Sequence, residues 1–396
     1  MPSSSIATKR DPVALAAELR PLLARNAAQV EHDRRLCDEN VNAIAAANLF
    51  KVMTPKRWGG YGAPLKTVLE TFAELARGCG SSGWVTMIIS GVNWWASLLP
   101  DAGQEEIFAS RADVRVCAAG SPGLRGQRIK GGVRVSGKFP YGSGCLHSSW
   151  GGLSVEVEDD THNLLDLVTA FAPMSELGIE DTWHVAGMCG TGSNTLVAKD
   201  VFIPDQRILS FNRILKGEHL SQRHSGELSD NYTWASANTL IGIAPLLGIA
   251  QAMLEKVIEG TRTRGISFTT YTRQADAPVV QHQVAEAALK IDSAKLLAMS
   301  AADEIEEAAS AGNQMEYVAR ARVRGSVGYG TKLIRGAVDT LASIGGASGF
   351  ADASPLQRMW RDINIAARHA LLATDSNLEI YGRALLGAEG NITPLV

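Results

Sequence analysis

Four groups of residues in this 396-residue chain have types and spacings suited to chemistry. His369 is one of eight histidines. An imidazole titrates near pH 6.5, so at neutral pH it can donate a hydrogen bond or exchange a proton. Taken alone, it also fits an ordinary helix position. Ser143 stands between Gly142 and Gly144. That setting is a turn at least, and it lets a hydroxyl and backbone amides approach a flat ring. Arg262 and Arg264 fall at an expected helix end, either solvated there or forking onto a phosphate. The amides of Gly345 to Gly349, with the Ser348 hydroxyl, could hold the same kind of anion. Trp94, Trp95, Phe211, Tyr232 and Trp234 are candidate walls for a flat apolar ligand. Neighbouring helix residues diverge by ~100°, so at most one of Trp94 and Trp95 faces it.

Other chemistries lack their motifs. Cys37, Cys79, Cys117, Cys145 and Cys189 form no CxxC pair, and there is no HExxH, so no metal site is expected. No GxxxxGK[ST] or G-x-S-x-G occurs, and Gly190-x-Gly192 lacks the third glycine of a dinucleotide turn. Lys and Arg number 38 against 41 Asp and Glu, a net charge of −3, which argues against a nucleic-acid partner. Scattered cysteines and a polar start, Met1-Pro2-Ser3-Ser4-Ser5, without an apolar signal core point to the cytoplasm. From Trp234 to Leu254 there is no charge. Ser236, Asn238, Thr239, Pro245 and Gln251 within it favour a helix buried in protein over a membrane span.

The elements that must position these residues fall into three regions: 1–112 helical, 113–232 rich in short strands, 233–396 helical again. Apolar spacing near 3.6 runs through Val13, Leu15, Ala16, Leu19, Leu22 and Leu23. Helices are also expected over Glu39–Leu49 and Leu65–Arg77. In the middle region Gly131-Gly132 separates alternating runs and predicts a hairpin. The acidic run Glu156 to Asp160 predicts a solvated hairpin tip, and the pattern as a whole an antiparallel barrel or sandwich. Residues 206–233 read as a polar loop, a plausible lid over a site. Val280, Val284, Ala287, Ile291, Ala294, Ala298, Ala301 and Ile305 recur in steps of four and three, a sustained packing seam. Further helices are expected over Tyr317–Ile344, stopped by Gly345-Gly346, and over Leu356–Leu386.

Helices, strands and long helices in this order resemble the acyl-CoA dehydrogenase fold. Supporting stretches are Ala47 to Phe50 with Gly59-Gly60-Tyr61-Gly62, Asp181 to Ser193 with Val201-Phe202-Ile203-Pro204, and Gly345 to Phe350. The resemblance implies an α+β, mainly α chain: an N-terminal helical domain (1–112), an antiparallel β-barrel domain (113–232) and a C-terminal four-helix bundle (233–396). The fold hosts more than one chemistry. A dehydrogenase needs a carboxylate base beside its flavin. In that family's common pattern the base is a Glu eight residues after the Asp of an Arg-Asp pair. Here the pair is Arg361-Asp362 and the position is Ala370; other dehydrogenases place the base on another helix.

His369 beside that alanine, and Lys138 to Trp150, resemble the oxygenase components of two-component flavin monooxygenases. The resemblance implies reduced FMN or FAD from a separate NAD(P)H:flavin reductase, O2 as co-substrate, a flavin hydroperoxide, and a homotetramer. It implies His369 and Ser143 as catalytic residues. Ser143, Trp150, Arg262, Gly345, Gly346 and Ser348 would hold the cofactor, the last group from a neighbouring subunit. Asn93, Trp94 and Trp234 would hold the substrate. Some phenol hydroxylases of this group carry a His where Asn93 stands. Asn cannot take a phenol's proton. The expected substrate is therefore a small aromatic or heteroaromatic compound, indole-3-acetate-like. Acyl-CoA dehydrogenation and N- or S-oxygenation are the alternatives.

Overall fold

The computed structural model describes residues 10–109, 113–222 and 226–396; the expected polar start of the chain lies outside them. The N-terminal region holds α1 (Pro12–His32), α2 (Asp38–Ala46), α3 (Leu65–Gly78), α4 (Gly80–Ala96) and α5 (Asp101–Phe108). Pro12 opens α1 at a position where its missing N–H is harmless, and the Asp11 carboxylate accepts from the Val13 amide.

Eight strands follow: β1 (Val116–Ala119), β2 (Arg125–Ile129), β3 (Gly132–Gly142), β4 (Trp150–Glu158), β5 (Leu164–Pro173), β6 (Gly178–Glu180), β7 (Asn194–Pro204) and β8 (Ile208–Ser210). The β2–β3 hairpin forms as expected, with Gly131 at φ +83° in its turn. The acidic tip also forms between β4 and β5, where the Asp159 carboxylate accepts from the amides of Thr161 and Asn163.

Two features of the expected barrel are corrected. The sheet is open, in the order β6-β7-β3-β2-β4-β5-β8, because β6 and β8 are three-residue edges that do not meet. It is also mixed: β1 and β2 lie end to end along β4, both parallel to it. Its inner face packs Val133, Val135, Leu153, Val155, Leu196 and Ile203 into a core separate from the helical one.

The segment 206–233 is not patternless. It contains β8, which pairs with β5, then α6 (Phe211–Ile214) and a 3-10 turn at Leu228–Asn231. Arg57 fastens it, donating to Asp230 at 2.8 Å.

The C-terminal region holds α7 (Trp234–Ile241), α8 (Ile243–Thr261), α9 (Pro278–Ser310), α10 (Tyr317–Gly345), α11 (Pro355–Ala366) and α12 (Thr374–Leu385). The uncharged stretch becomes α7 and α8, and 83% of its most apolar window is buried in the protein. The α9 seam is buried from Val280 to Ile305 with Val284 half-covered, and it packs on α8 and α10. The single helix expected over Leu356–Leu386 is instead α11 and α12, broken at 367–373. The break is local: the His369 ring nitrogen Nδ1 accepts the Leu371 amide at 3.3 Å, and the Asn377 side chain donates to the Leu371 carbonyl. His369 thus stands in a turn between helices.

Candidate active site

A cavity of about 600 Å³ opens where α4, α7, the sheet and the turn after α11 converge. From α4 come Trp84, Met87, Ile88, Gly91, Val92 and Trp95, at offsets of three, four, seven, eight and eleven residues, which is one helix face. That phase decides between the paired tryptophans. Trp95 is on the wall. Trp94 is fully buried on the other side, its indole N–H donating to the Ser229 carbonyl at 2.9 Å.

Asn93 is also corrected. It lies outside the cavity and clips α4 to its surroundings. Its amide donates to the carbonyls of Phe50 (3.1 Å) and Val114 (3.0 Å), and its oxygen accepts the Val116 amide (3.1 Å). With both amide protons spent on backbone carbonyls and the side chain off the cavity wall, it cannot report on substrate chemistry. Trp234 sits behind Trp95, ring centroids 5.2 Å apart, and faces a separate small pocket beside Arg57. Trp150 is buried under the Arg207 guanidinium, 5.1 Å from its ring centroid, and does not reach the cavity. None of the described residues of 206–233 lines the cavity, so the expected lid is not over it.

His369 and Ser143 do line the cavity, His369 from the turn after α11 and Ser143 from just past the end of β3. The His369 ring is open to the cavity interior but enclosed by protein around it. That enclosure, with the Arg324 charge added, lowers its pKa to about 4, so it is neutral at pH 7. Because Nδ1 accepts from Leu371, the single ring proton belongs on Nε2. Trp84 packs edge-on against the ring at 5.6 Å. Ala370 also lines the cavity. Among the described residues on the wall there is no Asp or Glu; the ionisable ones are His369, Arg368 and Tyr141.

The Asp362 carboxylate, on α11, lies off the cavity wall beside a separate small pocket and does structural work. It is 6% exposed and accepts the Met188 amide. Glu31 takes the neighbouring arginines, pairing with Arg361 at 2.5 Å and Arg358 at 3.8 Å, which leaves Asp362 without an ion pair of its own. Burial consequently raises its pKa to about 7. Beside it, a Cβ on Gly187 would stand 2.5 Å from the Arg361 carbonyl oxygen, so α11 and the 183–193 segment touch backbone to backbone. This contact brings Trp183, Met188, Thr191 and Ser193 to the cavity beside His369.

The hydroxyls of Thr191 and Ser193 are site residues beyond those expected from the sequence. Gly190-Thr191-Gly192-Ser193 repeats the small-and-hydroxyl pattern of Gly142-Ser143-Gly144, and that echo was the available signal. The basic, glycine-rich group lies elsewhere. Arg264, and not Arg262, donates to the Gly345 carbonyl at 2.9 Å and to the Ser348 hydroxyl. Arg262 is exposed at the end of α8, and Gly346 and Ser348 are exposed beside the last turn of α10.

The cavity fits a reduced isoalloxazine ring. Trp84, Met87, Trp95, Trp183 and Met188 offer flat or pliable apolar walls, and Ser121, Ser143, Thr191 and Ser193 a polar edge.

Residues 240–374 match the family "Acyl-CoA dehydrogenase, C-terminal domain". The chain is 31% identical over 370 residues to a flavin-dependent monooxygenase, oxygenase subunit HsaA, of Rhodococcus jostii, covering 93% of this chain and 96% of that one. It is 29% identical to the oxygenase component of an FADH(2)-dependent resorcinol hydroxylase of a Rhizobium species, covering 93% and 92%. Among solved structures, XiaF from a Streptomyces species in complex with FADH2 and glycerol superimposes with a TM-score of 0.91 at 31% identity, covering 97% of each chain. With that identity sustained over almost the whole length, and a cavity wall that bears imidazole and hydroxyls but, among the described residues, no carboxylate, the chain belongs to the family of oxygenase components of flavin-dependent monooxygenases, on the acyl-CoA dehydrogenase fold.

Proposed function

We infer that this enzyme is the oxygenase half of a two-component system. It takes reduced FMN or FAD from a separate NAD(P)H:flavin reductase and oxygenates a small aromatic or heteroaromatic compound, an indole-3-acetate-like acid being the concrete candidate. The observation that carries the reading is the composition of the cavity wall: Ala370 faces the cavity where a dehydrogenase base would stand, and no carboxylate among the described residues replaces it. Proton abstraction next to a thioester has no agent there.

Reduced flavin, when bound, supplies the electrons that activate dioxygen. The chain's own residues do the rest. The tryptophan and methionine walls exclude water and hold a flat substrate against the ring. Neutral His369 would present its Nε2 proton to an oxygen that develops negative charge in the cavity. Ser143, beside Ser193 and Thr191, would orient the ring by its hydroxyl.

Arg264, with Gly345, Gly346 and Ser348, is suited to hold flavin phosphates of a neighbouring subunit, because Gly346 and Ser348 are exposed, Arg264 is half-buried beside them, and all lie outside this chain's own cavity. That role belongs with a homotetramer in the cytoplasm. It also belongs with domain limits near 112 and 232 and with α8, α9, α10 and α12 acting as a four-helix bundle.

The test is to mix the protein and reduced FMN or FAD with oxygenated buffer, following flavin reoxidation and peroxide release. Reoxidation slower than that of free flavin, with peroxide withheld, is expected. Kinetics identical to free flavin would refute the reading.

A further inference from the structure

Three hydroxyls on the cavity wall form a chain with only one possible arrangement of protons. Ser143 Oγ lies 2.7 Å from Ser193 Oγ, and Ser193 Oγ lies 2.7 Å from Thr191 Oγ1. Thr191 Oγ1 lies 2.8 Å from the Met188 carbonyl oxygen. Each of these oxygen–oxygen contacts needs one proton, since two bare lone pairs at that distance repel. Each hydroxyl owns one proton and the carbonyl owns none. The Thr191 proton must therefore go to Met188, the Ser193 proton to Thr191, and the Ser143 proton to Ser193. Ser143 is left with lone pairs only for anything that enters the cavity.

The end of the relay is well held. The Met188 carbonyl also accepts the Trp183 indole N–H at 3.0 Å, while the Met188 amide donates to Asp362. Ser143, Thr191 and Ser193 are each at least nine-tenths buried, so bulk water does not scramble the order.

We propose that Thr191 and Ser193 are positioning residues that make this cavity prefer reduced over oxidised flavin, by fixing the Ser143 hydroxyl as an acceptor. The proposal rests on the flavin reading above. A dihydroflavin carries an N–H on its central ring where the oxidised ring carries a bare nitrogen lone pair. An acceptor-only Ser143 gains a hydrogen bond from the first and faces an electrostatic mismatch with the second. The protein then takes the reduced carrier from its reductase and releases the oxidised one after turnover. The same acceptor could instead serve the O–H or N–H of a substrate, and the experiment separates the two.

The test is an anaerobic titration of the protein's tryptophan fluorescence with FMN, once oxidised and once reduced, with no aromatic compound present. The wild type is expected to bind reduced FMN at least about tenfold more tightly. In Ser193→Ala the Ser143 proton has lost its acceptor and can turn to the ligand. In Thr191→Val the Ser193 proton can turn back to Ser143, with the same consequence. Both variants are expected to shrink the preference about five- to tenfold, the scale of one hydrogen bond. Ser193→Thr, which keeps the hydroxyl, is expected to retain it. A ratio unchanged in both Ser193→Ala and Thr191→Val overturns the proposal, and a separate titration with a phenol that binds more weakly to those variants would then give the acceptor to the substrate. A wild type that binds both redox states equally overturns the relay alone. A wild type that binds neither overturns the flavin reading as well.

Discussion

Asp362→Asn isolates the buried carboxylate that joins α11 to the cavity wall. In the folded protein its pKa is raised to about 7, mainly by burial, against 3.8 ordinarily. Between those values the folded state holds a proton that the unfolded chain has lost. Stability therefore falls as pH rises through the window and stays low above it. Three pH units of separation correspond to at most about 4 kcal/mol. Asparagine keeps an oxygen to accept the Met188 amide and cannot ionise. The variant should match the wild type within about 1 kcal/mol at pH 4 and exceed it by up to about 4 kcal/mol at pH 8. His147, which burial lowers to about 4, and His369 act in the opposite sense: the unfolded chain protonates first as pH drops below 6.5, so they remove stability on the acid side. That contribution is common to both proteins and cancels in the difference. Urea unfolding at pH 4, 6 and 8, at one fixed protein concentration, reads the effect. Parallel pH curves for the two proteins would show that the carboxylate is not buried as a charge at neutral pH, and the account of this junction would fail.

The other expectations concern single sites. Gly187→Ala drives a Cβ into the Arg361 backbone and should lower stability by about 2–4 kcal/mol, whereas Gly382→Ala in α12, with open space around it, should raise it by about 0.5–1 kcal/mol; thermal melts compare the pair. Asn93→Ala breaks three buried hydrogen bonds and should cost about 2–4 kcal/mol in chemical unfolding, with no change in the ranking of phenol and indole substrates. His369→Ala should cut product formed per flavin oxidised by about tenfold or more, the remainder appearing as peroxide; unaltered coupling removes the role given to Nε2. Trp95→Ala should alter substrate affinity, and Trp94→Phe should not, in matched binding titrations.

What could be read from the chain depended on whether the information was local. The α9 seam and the Gly131 hairpin are written in spacings of two to four residues, and they form as expected. The alanine at 370 was equally legible, because a missing carboxylate needs no geometry to be noticed. The phase of α4 was not. Asn93, Trp94 and Trp95 are consecutive, the helix is buried almost all round, and only the position of the sheet decides which face meets the cavity. The break after α11 was invisible for a related reason: no Gly or Pro marks it, and it depends on an imidazole capturing a backbone N–H two residues on. The hydroxyl relay is further still from the sequence. Ser143 and Ser193 are fifty residues apart, joined only because β3 and β7 pair, with Gly142 opposite Asn194. A proton order that runs from Met188 to Ser143 exists only once those strands are in register, so the acceptor face of the cavity is a property of the sheet and not of any motif.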